Sequence, residues 1–276
     1  MKDVFACPVC SAPLHKVDRS YRCQKRHSFD VSAKRYVNLL VGADGAVHGD
    51  NKEMILARHR FLNGGWYQPL RQSVQALCVQ SMPVHGVLLD CGCGEGYYTD
   101  GICQALEQAG KDPFCIGIDI SKDAVILAGK TEPAKKETLE LAVASAYRLP
   151  ILDESCDMVV SLFAPLSDAS FLRVLKKGGY LLLGIPKEKH LWGLKQMLYD
   201  TPYENEIKDV FLQGFSLAGR VSVEENISIR SKEAILDLFA MTPYGYRTPK
   251  AGRERLQACE ELKTQIAFEL LLYRKD

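Results

Sequence analysis

The chain has 276 residues, 47% of them hydrophobic and 25% charged, and its formal net charge at pH 7 is +1. These values are typical of a soluble globular protein that buries a core of useful size. No apolar run reaches about 18 residues, which excludes a transmembrane helix, and the start MKDVFACPVC lacks the apolar stretch of a secretory signal. We therefore expect a cytoplasmic protein with no membrane partner.

The first 40 residues are basic, whereas the rest of the chain is slightly acidic. Eight Lys and Arg stand against three Asp in this segment, a net +5, which leaves −4 for the remainder. A basic segment on an acidic body suggests an electrostatic contact with a polyanion. A solvated face on a small domain is the alternative.

The same segment contains CPVCSAPLHKVDRSYRCQKRH, with the spacing C-x2-C-x12-C-x3-H. Its two close pairs, Cys7 with Cys10 and Cys23 with His27, are typical of tetrahedral structural zinc, which leaves no open position for catalysis. So small a segment cannot bury enough core to fold alone, and we expect the metal to supply its folding free energy. Free surface thiols are the alternative. Without a secretory signal, the ten cysteines favour reduced thiols and one metal site over disulfides.

The next motif is GVLLDCGCGEGYYTDGICQAL, which begins at Gly86. An apolar strand ends in Asp90, glycines follow at 92, 94 and 96, and a helical stretch comes next. This is the nucleotide-binding opening of a doubly wound sheet. The G-x-G-x-G spacing, with an acid two residues before the first glycine, fits S-adenosylmethionine better than a dinucleotide. We expect Asp90 to face the ammonium group of that cofactor.

Further strands alternate with helical stretches and predict a mostly parallel sheet. The second strand, 114–121, contains Asp119, which can accept hydrogen bonds from both ribose hydroxyls. The third, 141–150, brings Ser145 and Ala146 to the adenine edge. Strands at 156–165 and 174–186, a helix at 187–199, and the apolar stretches VSVEENISI and TQIAFELLLYR complete the prediction. The fold class is α/β, a class I (Rossmann-like) methyltransferase sheet with a small N-terminal zinc-binding domain. A cofactor-free Rossmann relic is the alternative.

Together these residues resemble the 23S rRNA (guanine-N1)-methyltransferases, the RlmA/RrmA-like family that includes macrolide-resistance members. The likeness spans nearly the whole chain, and the motifs that carry it are CPVC, CQKRHSFD, YVNLL, GDNKEMILARHRFLNGGWYQPL, LLDCGCGEGYYT, SLFAP, the HL after the fifth strand, and MTPYGYR. The resemblance implies a homodimer with a basic cleft, acting on a domain II hairpin of 23S rRNA near the peptide exit tunnel. It also implies that Cys7, Cys10, Cys23 and His27 bind zinc, and that Tyr67, the loop 94–99 and His190 contact the cofactor.

The expected division is a zinc-binding, RNA-recognition domain at 1–40, a helical linker at 41–85 and a methyltransferase domain at 86–276. The expected cofactor-binding residues are Tyr67, Asp90, Gly92, Gly94, Glu95, Gly96, Tyr97, Tyr98, Thr99, Asp119, Ser145, Ala146 and His190. The expected RNA-binding residues, called the basic set below, are Arg19, Arg22, Lys25, Arg26, Lys34 and Arg35. Arg58, His59 and Arg60 are equally compatible with phosphate contact and with a solvated helix face.

No side chain is assigned as the acceptor of the guanine N1 proton. The tip of the fourth strand, Phe163-Ala164-Pro165, is not the Asn-Pro-Pro-aromatic motif used for exocyclic amino groups, which is compatible with ring-nitrogen chemistry. Phe163 is a candidate to stack on the target base. Two alternative functions stay open: a methyltransferase of small molecules or proteins with a structural zinc lid, and a non-enzymatic rRNA-binding assembly factor.

Overall fold

The computed structural model describes residues 3–41, 49–207 and 211–276, together with every side chain in these ranges except that of Tyr246. Positions 1 and 2 of the expected zinc-binding domain and positions 42–48 of the expected linker lie outside the described residues. None of the helices within the described ranges combines the length and the apolar character needed to cross a bilayer.

The N-terminal module, residues 3–41, begins with a small antiparallel sheet. Its strands are β1 (His15–Val17), β2 (Ser20–Arg22) and β3 (Ser28–Asp30), in the order β1-β2-β3. The first two form the hairpin that VDRSYRC predicts, with Val17 opposite Ser20. The two turns that carry the predicted metal ligands lie on either side of this hairpin, so the hairpin sets their separation.

The main sheet has eight strands in the described chain. They are β4 (Val37–Asn38), β5 (Val87–Cys91), β6 (Phe114–Asp119), β7 (Leu139–Val143), β8 (Cys156–Leu162), β9 (Leu175–Pro186), β10 (Phe215–Ile229) and β11 (Leu262–Lys275). The spatial order is β10-β11-β9-β8-β5-β6-β7-β4. Strands β4 to β9 pair in parallel, and β11 pairs antiparallel to both β9 and β10. The order reverses between β5 and β8, which is the switch point where doubly wound sheets bind ligands. The predicted fold class is confirmed.

Helices cover both faces of this sheet. They are α1 (Lys52–Asn63), α2 (Gln68–Ser81), α3 (Tyr97–Gln108), α4 (Lys122–Ala128), α5 (Glu132–Lys135), α6 (Asp168–Val174), α7 (Trp192–Leu198), α8 (Lys232–Ala240) and α9 (Lys250–Ala258). Side-chain caps fix several starts: Asn51 accepts from the backbone of Met54 at α1, and Ser121 and Ser231 do the same at α4 and α8. Strand β5 is buried along its whole length, as its continuous apolar run predicts.

The N-terminal module is not a separate body, because its core is continuous with that of the sheet. Phe5 forms an antiparallel bridge with Ile151, and β4 extends the main sheet beside β7. Phe5 and Leu14 are buried in the same apolar cluster as β5 and β6 residues. Lys16 also pairs with Glu140 at 3.0 Å. The expectation that zinc alone folds this segment is therefore incomplete, since burial against the sheet contributes as well.

Two elements differ from the sequence expectation at their ends. The third predicted strand, 141–150, stops at Val143, because the Ser145 hydroxyl accepts from the Tyr147 amide and starts a 3₁₀ helix, Ala146–Arg148. The predicted helix at 187–199 begins at Trp192, after a turn that holds Leu191 at a φ of 56°. Both differences lie at the carboxyl ends of strands, where the chain turns over the ligand side of the sheet.

Candidate active site and metal centre

Cys7, Cys10, Cys23 and His27 come together at one point of the N-terminal module. Their ligand atoms all lie within 4.8 Å of one another. Cys10 Sγ and Cys23 Sγ are 3.7 Å apart, and His27 Nδ1 lies 3.5 Å from Cys7 Sγ and 3.4 Å from Cys23 Sγ. A tetrahedral zinc with ordinary bond lengths has S···S edges of about 3.8 Å and S···N edges of about 3.6 Å. Three of the six ligand separations thus match these edges, and the four predicted ligands suit one structural zinc ion.

A cavity of about 940 Å³ opens over the carboxyl ends of the central strands, at the switch point of the main sheet. Its walls include the ends of β5, β6, β7, β8 and β9, parts of α1, and the segments around Tyr203 and Tyr244. This volume lies at the upper end of the usual range for ligand sites, about 300–1,000 Å³. It is called the cofactor cavity below.

Asp119 holds the glycine loop in place at the end of β6. Its Oδ2 accepts from the Gly94 amide at 2.9 Å, and its Oδ1 accepts from the Ser121 amide at 2.8 Å. Burial raises the pKa of this carboxyl, while the two amide bonds oppose that effect. Each oxygen keeps a second lone pair for a ligand. A vicinal diol facing this carboxylate would complete its hydrogen bonding, as expected for a ribose.

Two glycines of the loop are required by its shape. Gly92 has a φ of 86°, and a Cβ there would come within 2.5 Å of the Cβ of Ala164. Gly94 has a φ of 54°, and a Cβ there would project into open space on the cavity wall. Both adopt the left-handed region that favours glycine. The loop thus turns sharply and leaves room for a ligand to approach its backbone.

Asp90 lies beneath the loop. It is buried, and it accepts a hydrogen bond from the Thr99 hydroxyl in the first turn of α3. Burial raises the pKa of Asp90 to about 7, with a further contribution from Asp119 and opposition from the Thr99 bond. Asp90 and Thr99 join the end of β5 to α3, so the structure shows them supporting the loop from behind.

Glu95 lines the cavity and has a buried side-chain oxygen without a partner in the described chain. Its side chain is 4% exposed, and Oε2 pairs with His59 Nδ1 at 3.0 Å. This hydrogen bond raises the pKa of His59. Oε1 is buried without a hydrogen-bond partner in the described chain, and so is the hydroxyl of Tyr98. Buried polar atoms normally have hydrogen-bond partners. An acceptor on Glu95 suits the ammonium group of S-adenosylmethionine, and a hydroxyl donor on Tyr98 suits its carboxylate.

Tyr67 and His190 form a buried pair across the cavity from the glycine loop. The Ala267 amide donates to His190 Nδ1 at 3.2 Å, which assigns the ring proton to Nε2, 3.4 Å from the Tyr67 hydroxyl. Burial lowers the pKa of His190 to about 3, so the ring is neutral at physiological pH. With Nδ1 already accepting, His190 orients Tyr67 and is not available as a base.

Aromatic rings enclose the end of the cavity beyond β8 and β9. Phe163 is 47% exposed and has a φ of 60°, an uncommon conformation for a bulky residue. Its ring lies 5.1 Å from that of Phe268, and the Phe268 ring lies 4.2 Å from the imidazole of His190. Strained residues of this kind cluster at functional sites. The exposed Phe163 ring offers a face on which a flat ligand can stack.

The thirteen predicted cofactor-binding residues fall into two groups, one on the cavity wall and one behind it. The cavity wall includes ten of the thirteen, namely Tyr67, Gly92, Gly94, Glu95, Tyr97, Tyr98, Asp119, Ser145, Ala146 and His190. Asp90, Gly96 and Thr99 lie behind the wall. Phe268 and Tyr244, which sequence reasoning missed, also line the cavity; the MTPYGYR motif was a signal for Tyr244, whereas nothing in the sequence around Phe268 marked it.

Arg58, His59 and Arg60 of α1, for which two interpretations were open, each pair with an acidic side chain, although His59 and Arg60 stay about half exposed. Arg58 lines the cavity and pairs with Asp50, and His59 pairs with Glu95. Arg60 makes two hydrogen bonds to the buried Asp237, at 2.8 and 2.5 Å. These side chains are therefore partnered by acids of the protein, and the pairs leave phosphate contact by this stretch untested.

All six members of the basic set are exposed. Arg35 donates to the Gly129 carbonyl at 3.1 Å, and none of the six forms an ion pair with a residue in the described ranges. Arg22, Lys25 and Arg26 lie beside the metal ligands Cys23 and His27 along the chain. The module thus presents uncompensated positive charge to solvent, which suits contact with phosphate groups.

The sheet order, glycine loop, acidic pair and metal cluster together define a class I S-adenosylmethionine-dependent methyltransferase that carries a zinc module. Comparison with known proteins agrees. The zinc-ribbon family model described as "RlmA, N-terminal" matches residues 5–41, and the model described as "Methyltransferase domain" matches residues 89–183.

Three curated relatives narrow the class. The chain is 32% identical to a Bacillus subtilis protein provisionally named 23S rRNA (guanine-N(1)-)-methyltransferase YxjB, over 95% of this chain and 92% of that protein. It is 31% identical to a Micromonospora griseorubida protein provisionally named in the same way, covering 97% and 96%. It is 32% identical to the 23S rRNA (guanine(748)-N(1))-methyltransferase of Streptomyces fradiae, covering 67% and 64%.

The chain therefore belongs to the 23S rRNA (guanine-N1)-methyltransferase family, as the sequence motifs indicated. Membership confirms the predicted cofactor, S-adenosylmethionine, and the predicted structural zinc. Among solved structures, the YcgJ protein from Bacillus subtilis aligns with 74% of this chain and 98% of its own at 16% identity, with a TM-score of 0.49.

Proposed function

We propose that this protein transfers the methyl group of S-adenosylmethionine to N1 of a guanine in 23S rRNA. The substrate is a hairpin of domain II near the peptide exit tunnel, and the enzyme acts in the cytoplasm as a homodimer. The observation that carries the proposal is the union, in one chain, of a cofactor cavity with a zinc module whose exposed basic set forms no ion pair within the described residues. The relatives' names supply the identity of the nucleic acid.

The proposed roles follow from position along the sheet. Ser145 and Ala146 at the end of β7 take the adenine, and Asp119 at the end of β6 takes the ribose. The glycine loop after β5, with Glu95 and Tyr98, takes the amino-acid tail. When bound, S-adenosylmethionine supplies an activated methyl group, so the chain needs no covalent nucleophile. Its task is to hold guanine N1 in line with the methyl carbon and the sulfur.

Guanine N1 carries a proton and is masked in a Watson–Crick pair, so the target base must be unpaired or flipped out of its helix. Phe163 would stack on the extruded base, a contact worth about 1–3 kcal/mol. The basic set would hold the surrounding phosphates, which positions the RNA without reading its bases. We further propose that the chain divides at 1–40, 41–85 and 86–276, with β4 as the point where the first part joins the main sheet.

The proposal is tested with purified protein, labelled S-adenosylmethionine and 23S rRNA, followed by mass mapping of the modified nucleotide. We expect one N1-methylguanosine, and a strain lacking the gene should lose the same modification. Methyl transfer confined to protein or small molecules, or RNA binding without methylation, would contradict the proposal.

Two glycines provide a matched pair of variants for this assay. Gly94 and Gly110 both have positive φ, at 54° and 72°, and neither has a heavy atom within 4 Å of its added Cβ. Replacement by Val therefore imposes a similar backbone strain at both. Gly94→Val places its side chain in the cofactor cavity and should abolish methylation. Gly110→Val, which follows α3 away from the cavity, should retain it.

A further inference from the structure

The cofactor cavity has two ends with different chemistry. Asp119 and Ser145, at the ends of β6 and β7, mark one end, and the glycine loop lies in the middle. The other end, beyond β8 and β9, is called the aromatic end. Four rings surround it, those of Phe163, Phe268, Tyr203 and Tyr244. If the cofactor occupies the first end and the middle, the methyl acceptor has to enter at the aromatic end.

The far wall of the aromatic end is built from two segments outside the α-helices and β-strands, and the second includes the 3₁₀ helix Pro243–Tyr246. One follows α7 and contributes Tyr203 and Asn205, and the other follows α8 and contributes Thr242 and Tyr244. Their rings meet through Tyr199, whose centroid lies 5.6 Å from that of Tyr203 and 6.4 Å from that of Tyr244. Connecting segments of this kind need side-chain anchors to keep one conformation.

Lys195 is the anchor that joins the two segments. It belongs to α7 and is 0% exposed. Its ammonium donates to the Tyr203 carbonyl at 2.9 Å and to Asn205 Oδ1 at 2.7 Å. The same nitrogen lies 4.6 Å from the ring centroid of Tyr203 and 5.7 Å from that of Tyr244. Asn205 in turn donates to the carbonyl of Lys187, just beyond β9, so the wall is tied to the sheet as well.

Burying the charged ammonium group of Lys195 costs folding free energy. Within the described residues no carboxylate forms an ion pair with it; burial lowers the pKa of Lys195, and the charge of the nearby Glu204 only opposes that effect. Taking an ammonium out of water costs several kcal/mol, and a packed apolar side chain of similar size is often as stable or more so. Stability alone therefore does not explain a lysine here. Its hydrogen bonds fix the carbonyl of one wall segment and the amide of Asn205, which an apolar side chain would leave free.

We propose that the aromatic end is the pocket for the target guanine and that Lys195 is a positioning residue, which sets the Tyr203–Tyr244 wall against which the base rests. This rests on the proposed function. Aromatic faces suit a flat purine, because base–aromatic stacking requires a π-face and little else. Lys195 acts through Tyr203, Asn205 and Tyr244, and it needs no contact with the base.

The test compares Lys195→Met and Lys195→Arg with Lys250→Met, which changes a lysine that is 92% exposed. Steady-state methylation of 23S rRNA gives kcat and KM, and calorimetry gives the affinity for S-adenosylhomocysteine. We expect Lys195→Met to lower kcat about 100-fold, the scale of a small misplacement of reacting groups. KM for RNA and the cofactor affinity should stay within about threefold, because phosphate contacts and the other end of the cavity are untouched. Lys195→Arg should recover most of kcat, and Lys250→Met should match the wild type.

Asn205→Ala keeps the result interpretable if Lys195→Met folds poorly. It removes one acceptor of the ammonium from a partly exposed position, and it should also lower kcat rather than raise KM. The double variant should be no slower than the slower single one, since both act through the same wall. Unchanged kcat per folded molecule in Asn205→Ala and Lys195→Met, or a loss confined to KM, would overturn the inference. Wild-type enzyme that fails to methylate 23S rRNA would instead refute the proposed function.

Discussion

Asp119 offers the sharpest test of how the cavity holds its cofactor. Its two carboxylate oxygens accept from the amides of Gly94 and Ser121 at 2.9 and 2.8 Å, and their free lone pairs are predicted to accept from both ribose hydroxyls. Asp119→Ala removes all four interactions at once. The variant should lose cofactor affinity because the ribose acceptor is gone, and it should lose order in the glycine loop because the Gly94 amide has no acceptor. The experiment has to separate these two effects.

The two losses have comparable size. A hydrogen bond to a charged group contributes about 1.5–3 kcal/mol, so loss of the ribose acceptor should weaken binding roughly ten- to hundredfold. Leaving the Gly94 amide without its acceptor costs about 1–3 kcal/mol of stability if no water replaces it. The first loss depends on the ribose hydroxyls of the ligand, and the second does not.

Calorimetry with two ligands distinguishes them. S-adenosylhomocysteine and its 2′,3′-dideoxy analogue are titrated into the wild type, Asp119→Ala and the control Asp123→Ala, which changes an exposed acid in the first turn of α4. We expect the wild type and the control to prefer the hydroxylated ligand, and Asp119→Ala to bind both equally. An unchanged dissociation constant, or an equal loss for both ligands, would show that Asp119 serves the loop and not the ribose.

Three further outcomes are expected. Cys23→Ala leaves three of the four zinc ligands. Metal analysis should therefore show the zinc content falling from one per chain towards none, and RNA binding should weaken. Retention of one zinc per chain would contradict the assignment of Cys23 as a ligand. Replacing Arg22, Lys25 and Arg26 with Ala should reduce the slope of log K for RNA binding against log salt by about 2–3, at roughly 0.7–0.9 per phosphate contact. The methylated nucleotide should stay the same. An unchanged slope would show that these side chains are only solvated. Because burial raises the pKa of Asp90 from 3.8 to about 7, the cofactor-free protein should lose up to about 1.4 kcal/mol of unfolding free energy per unit as pH rises from 5 to 7. Asp90→Asn should flatten that dependence, and equal slopes in the two proteins would contradict the assignment.

The sheet and the metal centre could be predicted from the sequence because short stretches of the chain encode both. A buried parallel strand reads as an apolar run, and the glycine loop follows it within a few residues. The four zinc ligands form two pairs whose members lie three and four residues apart in sequence, so their convergence needs only two turns. The end of β7 was misplaced for an equally local reason, since the Ser145 hydroxyl captures a backbone amide that a longer strand would have used.

The aromatic end could not be predicted from the sequence, because it depends on the register between strands that lie far apart in the chain. Phe268 reaches the cavity because β11 pairs antiparallel to β9, with Phe268 opposite Pro186. Nothing in the run TQIAFELLLYR distinguishes that ring from its apolar neighbours. Lys195 looks like an ordinary helical lysine in sequence, and only the return of the chain at Tyr203 and Asn205 buries it.

If the basic set holds RNA phosphates as proposed, the attachment of the N-terminal module explains how those contacts would serve chemistry at the cofactor cavity. Strand β4 pairs with β7 through Val37 and Ala142, and the Leu39 amide donates to the Val143 carbonyl at 2.9 Å. Ser145, two residues after the end of β7 at Val143, lies on the wall of the cofactor cavity. The zinc module and the end of the cavity proposed for the adenine thus share one strand pair and one apolar core. A module on a flexible tether would hold RNA phosphates without fixing the base relative to the methyl donor. Fusion to the sheet removes that freedom before the substrate arrives, which is how orientation contributes to rate.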